Sequence, residues 1–163
     1  MFRIRRVRMI SAIAMCALVG TILPTLAHAS GTNCSSMGSS SICNTTNGTG
    51  MTVNWVAALV NLDACTPNGY FTYQHSIHDS SPTIGVPGKP AGIPVWRTPY
   101  VAFYHQKDPV ACLGLGRISY YLPRYAVNRT FPTNVTTSCV TLYRGLQPSA
   151  STFMKASCNG VHP

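Results

Sequence analysis

The chain reads as a mainly β protein: a small antiparallel sheet, sandwich or barrel, stapled by disulfides and carrying long irregular loops. Three observations predict this. The region after the leader is rich in Thr, Val, Tyr, Ser and Asn, with glycine and proline punctuating short apolar runs. One stretch, residues 70–78, alternates between apolar or aromatic and polar positions from Phe71 onward. Beyond the leader there are six cysteines, Cys34, Cys43, Cys65, Cys112, Cys139 and Cys158, an even set in a chain that looks exported.

Export is read from residues 1–29. Arg3, Arg5, Arg6 and Arg8 precede an apolar run from Met9 to Leu23, and Ala27-His28-Ala29 supplies small residues at a cleavage position. The run, about 15 residues, falls short of the roughly 20 that span a bilayer, so we read a signal peptide of bacterial form, removed after Ala29. Cleavage two residues earlier would leave His28 as an N-terminal copper chelate; the better cleavage pattern removes it. Cys16 leaves with the leader. The protein is therefore expected in the periplasm or outside the cell, with no later membrane span.

Residues 30–50 are small and polar, and we read them as an irregular N-terminal arm tied by a local Cys34–Cys43 bridge. Residues 51–163 form a single β-rich domain. Within it, residues 51–62 suit either a helical face or a buried strand, and the β character of the rest favours strand. Thr66-Pro67-Asn68-Gly69 is a turn. In residues 70–78, Phe71, Tyr73, His75 and Ile77 share one face and Thr72, Gln74, Ser76 and His78 the other, as in a half-buried strand. Residues 80–94 hold Pro82, Pro87, Pro90 and Pro94 and read as an extended surface loop. The apolar runs 100–105 and 110–122, broken by Gln106-Lys107-Asp108-Pro109, predict a central hairpin. Gly114 and Gly116 mark a bulge or a close approach in its second strand. Residues 138–144 and 151–157 are the last two strands, turning at Gly145-Leu146-Gln147-Pro148. Long-range bridges are expected of Cys65, Cys112, Cys139 and Cys158.

Composition excludes several chemistries. The acids are Asp63, Asp79 and Asp108, and there is no glutamate. Glycoside hydrolysis wants paired carboxylates and calcium sites want several, so both are disfavoured. No cysteine pair has zinc spacing, and no metal or cofactor is expected. Of 12 cations, the four leader arginines are discarded, leaving eight against three acids. Those eight are spread along the chain, which argues against specific nucleic-acid binding. The Asn-x-Ser/Thr patterns at Asn33, Asn44, Asn47, Asn128 and Asn134 are read as chance in a Thr/Asn-rich bacterial chain.

Two sets of candidate site residues remain. Trp96, Arg97, Tyr120, Tyr121, Arg124 and Tyr125 could present aromatic and cationic groups to a glycan, a cell-surface component or a protein partner, without catalysis. This reading asks least of the missing residue types, and it leads; oligomerisation is compatible with it. A rival, nuclease-like hydrolase would use His75, His78 and His105 as acid and base, with Lys107 for phosphorane charge. It requires two of these rings to meet, although His75 and His78 point to opposite faces of a strand. A third reading, a structural or assembly component of an envelope appendage, requires a long unprotected edge strand.

Overall fold

The computed structural model describes residues 29–81, 89–149 and 152–161. The signal-peptide reading, Cys16, His28 and the centre of the proline-rich loop lie outside these residues. In the described part the fold is a two-sheet sandwich. In chain order the elements are β1 (Gly31–Met37), β2 (Ser40–Thr49), β3 (Thr52–Asp63), β4 (Gly69–Asp79), β5 (Pro94–Arg97), β6 (Val101–His105), α1 (Pro109–Leu113), β7 (Arg117–Tyr121), β8 (Tyr125–Thr130), β9 (Val135–Arg144) and β10 (Phe153–Gly160). The first sheet runs β1-β2-β3-β7, with β8 also on β3; the second runs β10-β9-β4-β5, with β6 also on β4. Every pairing is antiparallel.

Two apolar clusters fill the space between the sheets. Ile42, Ala58, Val60 and Leu62 of the first sheet meet Phe71, Tyr73, Val140 and Leu142 of the second. Towards the other end, Val53 and Val56 meet Ile77, Val135, Phe131 and Val161. Ala29, which the sequence places last in the leader, is fully buried in that second cluster. No described helix is long and apolar enough to cross a membrane.

The three disulfides pair Cys34 with Cys43, Cys65 with Cys112, and Cys139 with Cys158. The local Cys34–Cys43 bridge is as read from sequence. Of the other two, Cys65–Cys112 spans 47 residues, whereas Cys139–Cys158 spans only 19 and joins directly opposed residues of β9 and β10. The strand at residues 51–62 is present as β3.

Three expectations are corrected. The arm at residues 30–50 is a β-hairpin, and its second strand, β2, lies inside the first sheet between β1 and β3. Its polarity hid it, because buried Asn44 and Thr46 find polar partners across the sandwich. Asn44 Nδ2 donates to the Ser138 carbonyl (2.7 Å), Thr46 shares a hydrogen bond with Ser138 Oγ (2.9 Å), and Asn159 Nδ2 donates to the Asn44 carbonyl (2.8 Å). The second correction concerns the central hairpin. β6 pairs with β4 and β7 with β3, so the two runs belong to opposite sheets. Between them the chain forms α1, with Pro109 in its first turn and the Asp108 carboxylate accepting from Val110 N and Ala111 N. Third, β4 is not half-buried. Thr72, Ser76 and His78 on its outer face are as hidden as Phe71, Tyr73 and Ile77 on its inner face.

The two sheets also touch along their edges in two places. Where β1 meets β10, Asn33 Nδ2 donates to the Cys158 carbonyl, Ser157 Oγ donates to the Asn33 carbonyl, and Asn159 Nδ2 donates to the Gly31 carbonyl. Where β6 meets β7, Phe103 packs on Tyr120 with ring centres 4.8 Å apart.

Candidate binding groove

A groove of about 300 Å³ lies on the outer face of the second sheet. Its floor is the polar face of β4 with the adjoining face of β9. Gln74, Ser76 and His78 alternate along β4, and Thr141 and Tyr143 alternate along β9. Its walls are Tyr100 and Arg97 on one side and a strap containing Lys89, Pro90 and Gly92 on the other.

Hydrogen bonds fix the floor. Gln74 Nε2 donates to the Thr98 carbonyl (2.7 Å). His78 Nδ1 lies 3.2 Å from the Gly92 carbonyl, and Nε2 lies 2.7 Å from Ser76 Oγ. A carbonyl only accepts, so Nδ1 carries the proton and Nε2 accepts from the Ser76 hydroxyl. Burial pushes the His78 pKa down, which favours this neutral ring. The strap is also tied to the end of β4: Ile93 N and Ser81 N donate to the Asp79 carboxylate (2.9 and 3.0 Å) and hold its pKa below the ordinary carboxylate range. Gly92 is required at this contact. Its φ is +84°, and a Cβ there would lie 1.9 Å from the Asp79 carbonyl oxygen.

The walls are aromatic and cationic. Tyr100 meets Tyr143 edge-on with centroids 5.9 Å apart, Tyr143 meets Phe153 at 6.1 Å, and Lys89 Nζ lies 5.6 Å from the Phe153 centroid. Burial, then the neighbouring Tyr100, pushes the Tyr143 phenol up to about 12. Tyr100 remains 48% exposed. Farther along the same face, Tyr70 and Tyr104 form another exposed edge-on pair, 5.0 Å apart. The residues lining the groove include no carboxylate.

The structure distributes the residues singled out from sequence very unevenly. Arg97 borders the groove. Its neighbour Trp96, opposite Ile77 on β4, turns inward and packs half-buried in the second core cluster. Tyr120, Tyr121, Arg124 and Tyr125 belong to the first sheet or its connections. Tyr120 is half-buried and its hydroxyl donates to His105 Nδ1 (2.8 Å); Tyr121 is exposed; the Arg124 guanidinium lies 4.6 Å from the Trp55 ring centre; and Tyr125 packs beside His75.

The histidines do not meet. Gly69 is the partner of His105 across β4 and β6, and His75 lies six residues farther along β4, roughly 20 Å away. His75 is fully buried between Tyr73 and Tyr125, with neither ring nitrogen hydrogen-bonded, and burial lowers its pKa to about 4. His105 is buried and donates from Nε2 to the Thr66 carbonyl (3.0 Å). Lys107 belongs to the turn before α1, where its backbone N–H donates to Asn68 Oδ1 (2.6 Å). Among the described residues, no group of three His, Cys, Asp or Glu side chains could hold a metal.

Sequence reasoning missed Lys89, Tyr100, Thr141 and Tyr143 as groove residues. Half the signal was present, because the alternation of residues 70–78 sets Gln74, Ser76 and His78 on one face. Comparison with protein-family models, with curated proteins and with solved structures finds no match for this chain.

Proposed function

We propose that this chain is an exported, disulfide-stabilised binding protein of bacterial type that recognises a glycan at a cell surface without catalysis. The groove of the second sheet carries the reading. It combines the exposed Tyr100 and Arg97 with half-buried Lys89, Tyr143 and Gln74 over a floor whose side chains are already held by hydrogen bonds. Such a surface stacks on sugar rings and hydrogen-bonds hydroxyl groups while needing neither metal nor carboxylate. Its prior ordering reduces the entropy lost on binding. Export is supported by the leader sequence and by three disulfides, which persist in oxidising compartments. The nuclease-like and appendage-assembly readings have no comparable support: the histidines are separated and buried, and the β1 and β10 edges are tied to each other by side chains.

A glycan array followed by calorimetry on the hits tests this reading. We expect Tyr100→Ala and Arg97→Ala each to weaken binding about tenfold, the size expected of central anchor residues, with unchanged thermal stability. Tyr121→Ala, on the other sheet, should bind as the parent does. The reading fails if the folded, oxidised protein retains no glycan, or if both groove variants bind unchanged.

A further inference from the structure

The turn joining the two sheets holds its apolar side chains away from the protein. Residues 109–116 contain no charge, and within them Val110, Leu113 and Leu115 are 80%, 90% and 86% exposed. No residue of α1 is buried. Isolated exposed leucines are ordinary on protein surfaces, but three large aliphatic side chains within six residues form a patch.

The turn is rigidly built. Asp108 caps α1, Cys112 is bonded to Cys65, and Asp108 N donates to the Ala64 carbonyl. Gly116 N donates to the Ala111 carbonyl (2.7 Å), and Ala64 N donates to the Gly116 carbonyl (3.0 Å). A Cβ at Gly116 would press on Ala111 at 3.0 Å. Leu115 adopts φ 56°, a left-handed conformation that is unfavourable for leucine. That conformation closes α1, because Leu115 N donates to the Cys112 carbonyl (3.2 Å) alongside the Gly116 N bond to Ala111, and it fixes the Leu115 side chain in its exposed position.

The chemistry around the tip selects its occupant. Lys107 and Arg117 stand two residues before and one after it. Of the two nearby acids, Asp108 faces the α1 amides, and Asp63 accepts from Cys65 N and the Ser39 hydroxyl while standing opposite Arg117 across β3 and β7, so Lys107 carries the less compensated charge. From residue 30 onward, eight cations face three acids, so an anionic surface attracts the protein whereas a second copy carries the same excess of positive charge.

We propose that residues 109–116 are a membrane-docking tip: Val110, Leu113 and Leu115 enter the interfacial layer of an anionic lipid bilayer, with Lys107 and Arg117 at headgroup level. Because the turn is already ordered, docking requires no refolding. The tip would set the groove near a lipid surface, but the inference does not depend on what the groove binds.

Co-sedimentation with phosphatidylcholine vesicles, with and without phosphatidylglycerol, tests it on the full exported protein with its disulfides formed. The protein should pellet with the anionic vesicles. Leu113→Ser/Leu115→Ser should reduce binding about fivefold or more, and Lys107→Gln/Arg117→Gln about threefold, to anionic vesicles only. Leu113→Trp should show a blue-shifted emission on adding anionic vesicles, which reports insertion rather than surface adsorption. The proposal is overturned if the parent stays in the supernatant, if the double serine variant pellets equally, or if the Leu113→Trp emission does not move. It is also overturned if sedimentation velocity finds a dimer that Leu113→Ser/Leu115→Ser dissolves, because the face then belongs to a protein interface.

Discussion

The two faces of β4 are both buried, but by different materials. Phe71, Tyr73, His75 and Ile77 point inward against the first sheet, in a mainly apolar environment that also holds the His75 and His105 rings, the Tyr73 hydroxyl and, beside Ile77, Ser138 with its partners Asn44 and Thr46. Gln74, Ser76 and His78 point outward into the groove beside Tyr100, Tyr143 and the strap, and Thr72, on the same face, donates to the Gly145 carbonyl. Inner burial is driven by removal of apolar area from water. Outer burial is permitted because the polar atoms keep partners: Gln74 with Thr98, and His78 with Ser76 and Gly92. One strand thus supplies both the core of the sandwich and the floor of its groove. The inner face should govern stability, and the outer face should govern recognition.

Phe71→Ala tests this division most severely. Phe71 is fully buried and stacks on Phe103 with centroids 5.7 Å apart, so the truncation should lower unfolding stability by about 3–5 kcal/mol in urea titrations. Equal losses from Phe71→Ala and Thr72→Ala would break the comparison.

His75 comes next. Its pKa is about 4 in the fold against an ordinary value of 6.5, so between these limits the unfolded chain binds more protons than the native protein. Its neutral burial is fully compatible with folding above pH 6.5, and stability is lost as pH falls towards 4, by roughly 3 kcal/mol. His78, also depressed by burial, acts in the same direction. His75→Leu should flatten that part of the stability-against-pH curve; an unchanged slope would mean that His75 is not held neutral.

Gly92→Ala sharpens the outer side. It forces a contact with the Asp79 carbonyl at an unfavourable φ, and we expect a loss of about 1–3 kcal/mol. The strap should loosen, read as faster hydrogen exchange at the Ile93 amide and weaker glycan binding. Ser76→Ala, which removes the donor to His78, should show the smallest effect, about 1 kcal/mol in thermal unfolding.

Much of the candidate site was hidden from the sequence for a physical reason. Alternation along one strand tells which residues share a face, and it grouped Gln74, Ser76 and His78 correctly. It does not tell what covers that face. Tyr143 and Thr141 arrive from β9, and Lys89 and Gly92 from a loop, through pairings between residues far apart in the chain. The adjacent Trp96 and Arg97 looked like one site, yet neighbouring strand residues point to opposite faces, and only Arg97 reaches the groove. The helix α1 was legible in part, because Asp108-Pro109 is a helix-start signal that the hairpin reading passed over.

By itself the sequence determined the β class and the scarcity of carboxylates, and it favoured, without deciding, the local Cys34–Cys43 bridge and the strand at residues 51–62. These are matters of composition, short-range alternation and turn chemistry. Only the tertiary structure decided that β2 is an inner strand, that β6 and β7 part company into different sheets, and that the three histidines lie apart. Those outcomes depend on which surfaces bury one another and which distant groups satisfy a buried Asn44 or Thr46, and no local pattern encodes them.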